Sequence, residues 1–179
     1  MNRRFVVTGG PGGGKSTLLD ALAERSYRIA PEAARRLIKE RLSSGLPPRP
    51  DPVTFARAIL NSDMEQYRAA TDHDGITFFD RGVLDALYML DLESALSREE
   101  IARLVQVFPY NDTVFLLPPW EAIYGMDSER DQTFEESVAV FEGMKRWYAR
   151  WGYETEEVPR AGVEARVSFI LEAIGRQSV

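Results

Sequence analysis

The sequence predicts an α/β fold built on a parallel sheet. Short apolar runs recur along the chain at Arg4–Thr8, Tyr27–Ala30, Ile76–Phe79 and Thr113–Leu117, with a weaker one at Tyr153–Val158. Segments of helical period separate them, and strands alternating with helices indicate βαβ units. The third and fourth runs read as continuous apolar strands, as a sheet covered on both faces requires.

Taken in order, the first run passes through "TGGPGGGKSTLL" into a helical pattern that puts Leu18, Leu19, Leu22 and Ala23 on one face. The second ends in "APEAARRLIKE", where Glu32 follows Pro31 at a helix start. Ser43–Pro52 is rich in glycine and proline and reads as a connection rather than a domain boundary. The third run leads into "DRGVLDALYML". Ile101, Leu104, Val105 and Phe108 follow the i, i+3, i+4, i+7 rule. Tyr124–Thr133 is polar and charged, either a surface loop or a small lid over about 124–133. Phe134, Val138, Phe141, Met144, Tyr148 and Trp151 form a long stripe that reads as a core face, and Val163, Val167, Ile170, Leu171 and Ile174 form another. The glutamates that interrupt Tyr153–Val158 suit an edge strand. No internal repeat is evident. Right-handed crossovers then bring the strand C-termini to one edge, where ligands bind in such sheets.

Composition narrows the function. The 179 residues suit one domain, and 44% hydrophobic with 28% charged residues is a globular balance. A net charge of −6 argues against a nonspecific nucleic-acid binder, so no nucleic acid polymer is expected as a partner. The absence of cysteine excludes disulfides, thiolate catalysis and zinc–cysteine sites, and the lone His73 excludes a histidine-rich metal centre. No apolar run approaches the roughly 18 residues of a membrane span, and no signal-peptide pattern opens the chain. The expectation is a cytoplasmic protein.

The glycine-rich stretch carries the strongest signal. Gly9, Gly14, Lys15 and Ser16 fit G-x-x-x-x-G-K-[ST], with a strand before and a helix after. Glycines let the backbone curl closely around a phosphate, and successive N–H groups then converge as an anion nest. The helix N-terminus adds about half a positive charge. Gly9, Gly10, Pro11, Gly12, Gly13, Gly14, Lys15, Ser16 and Thr17 are therefore expected to cradle a nucleoside triphosphate. Lys15 reaches the β- and γ-phosphates, Ser16 ligates Mg²⁺ and Thr17 contacts the α-phosphate.

Three further clusters bear on what happens to that triphosphate. Asp80 and Arg81 follow an apolar strand, where a carboxylate can hold magnesium or its waters and an arginine can grip phosphate. The competing reading is an Asp–Arg pair that caps the next helix. Glu32 suits a general base that accepts a proton from a substrate hydroxyl, or simply an acidic residue in a helix first turn. One of Arg35 and Arg36 would line an acceptor pocket and the other face solvent. Arg130 sits in the lid segment, where closure would bring a cation onto the transferring group, with Asp127 either positioning it or contacting the metal; alternatively Arg130 pairs with Glu129 or Asp131. A GTPase would carry a guanine-reading N-K-x-D motif, which is lacking here.

The stretches "TGGPGGGKSTL", "APEAARRLI", "FFDRGVLDALYML", "VFLLPPWEAIYGMDSERDQTFEES" and "WGYETEEVPRAGVEARVSFIL" span nearly the whole chain. They resemble the AAA-type ATPase/kinase family that covers the nicotinamide riboside kinase domain of the bifunctional NAD regulator and the TRPL translocation defect proteins. "DRGVLDALY" is also similar to a segment of thymidylate kinases. The resemblance implies a nucleoside/nucleotide kinase-like P-loop NTPase, with Glu32 as base or acceptor contact and the loop Pro159–Val163 near the adenine base. The resulting expectation is a single domain over 1–179, a three-layer fold whose five-stranded parallel sheet has the order 2-3-1-4-5. It would use Mg²⁺ with ATP and transfer the γ-phosphate to a small-molecule acceptor, with Lys15, Glu32, Asp80, Arg81 and Arg130 catalytic and Ser16 and Asp80 on the metal. The alternative is a regulatory ATPase or GTPase with slow hydrolysis and a protein or lipid partner.

Overall fold

Valine, phenylalanine and threonine supply the strands, as their fit to a pleated, half-buried surface leads one to expect. The structure is a computed structural model that describes residues 2–10, 12–70, 75–123 and 133–177. Its strands are β1 (Arg4–Gly9), β2 (Arg28–Ala30), β3 (Thr77–Asp80), β4 (Thr113–Leu117) and β5 (Glu154–Glu157). Its α-helices are α1 (Lys15–Glu24), α2 (Ala33–Ser43), α3 (Pro52–Ala69), α4 (Val83–Leu92), α5 (Arg98–Val107), α6 (Phe134–Arg150) and α7 (Val163–Arg176). The strands form one sheet in the order β2-β3-β1-β4-β5 with helices on both sides, as expected for the P-loop NTPase kinase fold.

Each apolar run forms a strand within a residue or two of its expected bounds. The third is displaced by one residue, so Asp80 ends β3 instead of following it. Helix α3 is not among the patterns singled out above. Its start is the "DP" that closes the proline-rich stretch: Asp51 is the N-cap and accepts from the Thr54 N–H at 3.0 Å, and Pro52 occupies the first turn, where its missing N–H costs nothing.

By mutual contact the chain forms two units. The first comprises Met1–Ile29, Gly75–Asp80 and Tyr110–Val179. Phe5, Val7, Phe78, Phe115 and Leu117 share one face of its sheet and pack against Leu18, Leu19 and Leu22 of α1 and Val167, Ile170 and Ile174 of α7. Alternation sends Val6, Phe79, Val114 and Leu116 to the opposite face. Helix α6 packs along β1, β4 and β5, and buries Phe141, Met144, Trp147 and Tyr148. At the edge where the strands begin, Asn111 Nδ2 donates to Asn2 O at 2.7 Å and to Gln177 Oε1 at 3.1 Å, while Gln177 Nε2 donates to Thr113 Oγ1 at 2.7 Å.

The second unit comprises Ala30–Asp74 and Arg81–Pro109. Helices α3 and α4 pack along each other and bury Phe55, Ile59, Leu60, Leu84, Leu87 and Leu90. Tyr67 meets Phe108 edge-on at 5.3 Å, and its hydroxyl donates to Pro109 O at 2.7 Å. Among the described residues no helix is long and apolar enough to cross a membrane.

Phe5 is fully buried between Phe78 and Phe115, with ring centroids 6.0 and 5.9 Å away. Phe5→Ala is expected to lower the unfolding free energy by about 3–5 kcal/mol. Urea melts check this, with Phe5→Leu losing much less.

Candidate functional site

Parallel register builds the first half of the site. Val7 of β1 lies opposite Asp80 of β3, and Gly9 lies opposite Leu117 of β4. The chain leaving β1 therefore turns with Asp80 on one side and the end of β4 on the other. The turn is tight enough that glycine is required at two points. A Cβ on Gly9, whose φ is +145°, would stand 2.5 Å from the Leu117 carbonyl oxygen. Gly14 has φ +71°, and a Cβ there would meet the Arg166 guanidinium at 2.7 Å.

Gly14 is the N-cap of α1 and has no side chain to offer the first-turn amides. No acid stands in that turn either. Helices α5 and α6 contrast with it: Ser97 and Thr133 cap them, with Glu99–Glu100 and Glu135–Glu136 in their first turns. Only α1 of these three opens on glycine, lysine and two hydroxyls without a side-chain cap, the kind of helix start that suits an external anion. Gly9, Gly10, Gly12 and Gly13 are buried in this loop, Ser16 is half-buried and Thr17 exposed. Pro11 lies outside the described residues.

Lys15 is nearly buried, and its Nζ is ion-paired with Asp80 Oδ1. Beside the loop opens a cavity of about 400 Å³, lined among others by Thr17, Trp120, Ile123, Gly162, Val163 and Arg166. That volume lies in the range of small-ligand pockets. Arg160 Nε donates to Pro119 O at 2.8 Å and ties the loop before α7 to the segment carrying Trp120.

The second unit carries a separate charge cluster. Glu32 is the N-cap of α2, but its side chain makes no capping bond. Instead Oε1 accepts from Arg81 Nε at 3.2 Å, and Oε2 lies 3.7 Å from Arg35 Nε. Arg81 also reaches Asp85 Oδ1 with Nη1 at 3.5 Å. Asp85, buried in the first turn of α4, accepts from the Gly82 N–H at 3.0 Å. The helix-capping role considered for Asp80 and Arg81 thus falls to Gly82 and Asp85. Arg81 holds a left-handed backbone at φ +67°, a conformation that costs a non-glycine residue about 1–2 kcal/mol and recurs at functional positions. Arg35 is exposed, and half-exposed Arg36 spends its guanidinium on Glu40 and, at 2.6 Å, on Ser62 of α3.

The structure thus brings Lys15 to Asp80 and Glu32 to Arg81. Arg130, Asp127 and nearly all of the lid segment lie outside the described residues; Thr133 is described and caps α6. Sequence reasoning missed Asp85, whose signal is an acid three residues after a glycine N-cap. It also missed Arg166, whose partners stand more than 150 positions away and leave no local signal.

The model of the family described as AAA domain matches residues 4–166. The chain belongs to that family. The narrower likeness to the nicotinamide riboside kinase domain rests on the sequence stretches quoted above. No curated protein matches the sequence significantly. Among solved structures, the chain resembles deoxyadenosine kinase from M. mycoides with bound dATP at a TM-score of 0.65 and 16% identity, covering 97% of this chain and 99% of that one. The same kinase with bound dCTP gives 0.57 and 14%, with the same coverage. At these identities the likeness establishes the kinase-like P-loop fold.

Gly9→Ala would drive a methyl group into backbone. It is expected to cost about 1–3 kcal/mol, read from urea melts; wild-type stability would mean that the loop is looser than its geometry indicates.

Proposed function

We propose that this chain is an ATP-dependent phosphotransferase that moves the γ-phosphate to a small nucleoside- or nucleotide-like acceptor. The observation that carries the reading is the pairing of Lys15 with Asp80 at the mouth of an uncapped, glycine-rich helix start. A lysine and a carboxylate held together there match the needs of a magnesium–triphosphate: a cation for the β- and γ-phosphates and an oxygen for the metal.

Magnesium takes one or two protein oxygens and completes its shell with phosphates and water. Asp80 and Ser16 have that donor chemistry. Among the described residues there is no cluster of three or more acids or histidines that would form an all-protein cage. When bound, the ion neutralises charge on the phosphate oxygens.

The remaining roles belong to the chain's own side chains. The loop amides and Lys15 hold the β- and γ-phosphates, and Thr17 the α-phosphate. The cavity beside Trp120 and Val163 accepts the base and ribose of ATP. Glu32 takes the proton of the acceptor hydroxyl on Oε2, whose contact with Arg35 is looser than that of Oε1 with Arg81. Arg81, held in orientation by Glu32 and Asp85, grips the acceptor or the transferring group, and Arg130 steadies that group. The deoxynucleosides in the names of the structural neighbours support a nucleoside-like acceptor.

Incubation with labelled ATP, magnesium and a panel of nucleosides and nucleotides tests the reading. A labelled acceptor is expected; hydrolysis without any labelled acceptor, dependent on a protein or lipid partner, would replace it with the regulatory NTPase. Lys15→Ala is expected to abolish triphosphate binding by calorimetry. Glu32→Gln is expected to leave ATP binding intact and slow transfer by about 10²–10⁴. Unchanged transfer would reduce Glu32 to a partner of Arg81.

A further inference from the structure

Arg166 stands in the second turn of α7 and is only 4% exposed. Its Nη2 donates to Gly13 O at 2.7 Å and its Nη1 to Gly14 O at 3.3 Å. These are the last two carbonyls of the glycine-rich loop. No carboxylate pairs with Arg166 among the described residues, and its buried Nε has no hydrogen-bond partner there. Desolvation pulls the guanidinium below its ordinary pKa, and a buried cation without an acid is costly to keep. Such a residue is retained at a cost to stability, which calls for a reason in the site it lines.

Peptide geometry supplies one. A trans peptide is planar, with C=O and N–H on opposite sides. Arg166 draws the Gly13 carbonyl and, together with the Leu18 N–H at 3.3 Å, the Gly14 carbonyl, which turns the N–H groups of Gly14 and Lys15 the other way, toward the concave side of the loop. A positive charge bound to those carbonyls also polarises both peptide units and makes their amides stronger donors. Because Arg166 has no neutralising acid among the described residues, its own field adds to theirs and favours an anion.

We propose that Arg166 is a positioning residue for polyphosphate capture, fixing and polarising the Gly14 and Lys15 amides from behind. The inference rests on the reading of the loop as a triphosphate cradle. It extends that reading to a residue outside the motif and predicts a ligand preference for the phosphate chain rather than the base.

The test titrates Mg-ATP and Mg-tripolyphosphate into wild type, Arg166→Gln and Arg166→Lys, with ¹H–¹⁵N spectra of the Gly14 and Lys15 amides and thermal melts of each ligand-free protein. Arg166→Gln is expected to lose affinity for both ligands by about tenfold to a hundredfold, the equivalent of a charged hydrogen bond. Arg166→Lys, which keeps the charge but not the fork, is expected to lose less. The Gly14 and Lys15 amide resonances are expected to move in both variants before ligand is added. Wild-type affinity in both variants, or a loss for ATP with tripolyphosphate unaffected, overturns the proposal. If Arg166→Gln does not fold, Arg166→Lys decides: unmoved Gly14 and Lys15 resonances overturn it. If wild type itself takes up neither ligand, the triphosphate reading is what fails, and the ligand-free amide resonances alone decide whether Arg166 sets the loop.

Discussion

The turn from β1 into α1 is confined by backbone that cannot rotate aside. Gly9 runs against the Leu117 carbonyl, and a Cβ on Gly10 would come within 2.9 Å of the Ser137 carbonyl. Leu117 is fixed by the β1–β4 register and Ser137 by the capped start of α6. Side chains can repack around an intruding methyl group, whereas hydrogen-bonded backbone does so only by giving up its ladder. The loop's path is thereby set from outside, and the first residue of α1 emerges at one place. Since β3 lies beside β1, that place is next to Asp80, and the Lys15–Asp80 pair follows from sheet order as much as from the motif.

Lys15, Arg81 and Arg166 are held by different kinds of partner. Lys15 is paired with the Asp80 carboxylate, and on the proposed function a magnesium ion and a polyphosphate would replace that pair without stranding either member. Arg81 lies between two carboxylates, which restrict its orientation more than a single partner would. Arg166 donates to two loop carbonyls and pairs with no carboxylate among the described residues, and on the proposal above its charge would act through the peptide units of the loop. In a protein of net charge −6, the proposed anion capture would depend on local placement of charge rather than on the overall field.

Much of this was legible in the sequence because it is encoded locally. Apolar runs gave the strands, even β5, whose glutamates at 154, 156 and 157 mark an edge position. The glycine-lysine-serine spacing gave the loop and the start of α1. Helix α3 was hidden because its N-cap and first-turn proline look like the end of a proline-rich connection. Glu32 looked equally like a helix-end acid and a site residue, and its contact with Arg81, forty-nine positions away, leaves no local signal. Arg166 lies inside a regular apolar stripe of α7 and gives no sign of its partners, since carbonyl acceptors have no side-chain identity to read.

Asn111 holds Asn2 and Gln177 together at the edge where the parallel strands begin. The glycine-rich loop leaves β1 at the other edge, a strand length of about 20 Å away. A solid support, reporter or fusion partner grafted beside either of those two residues lands behind the sheet and leaves the loop rim open. The molecule can therefore be tethered beside Asn2 or Gln177 for single-molecule or surface-based work without covering the face where its ligands would arrive.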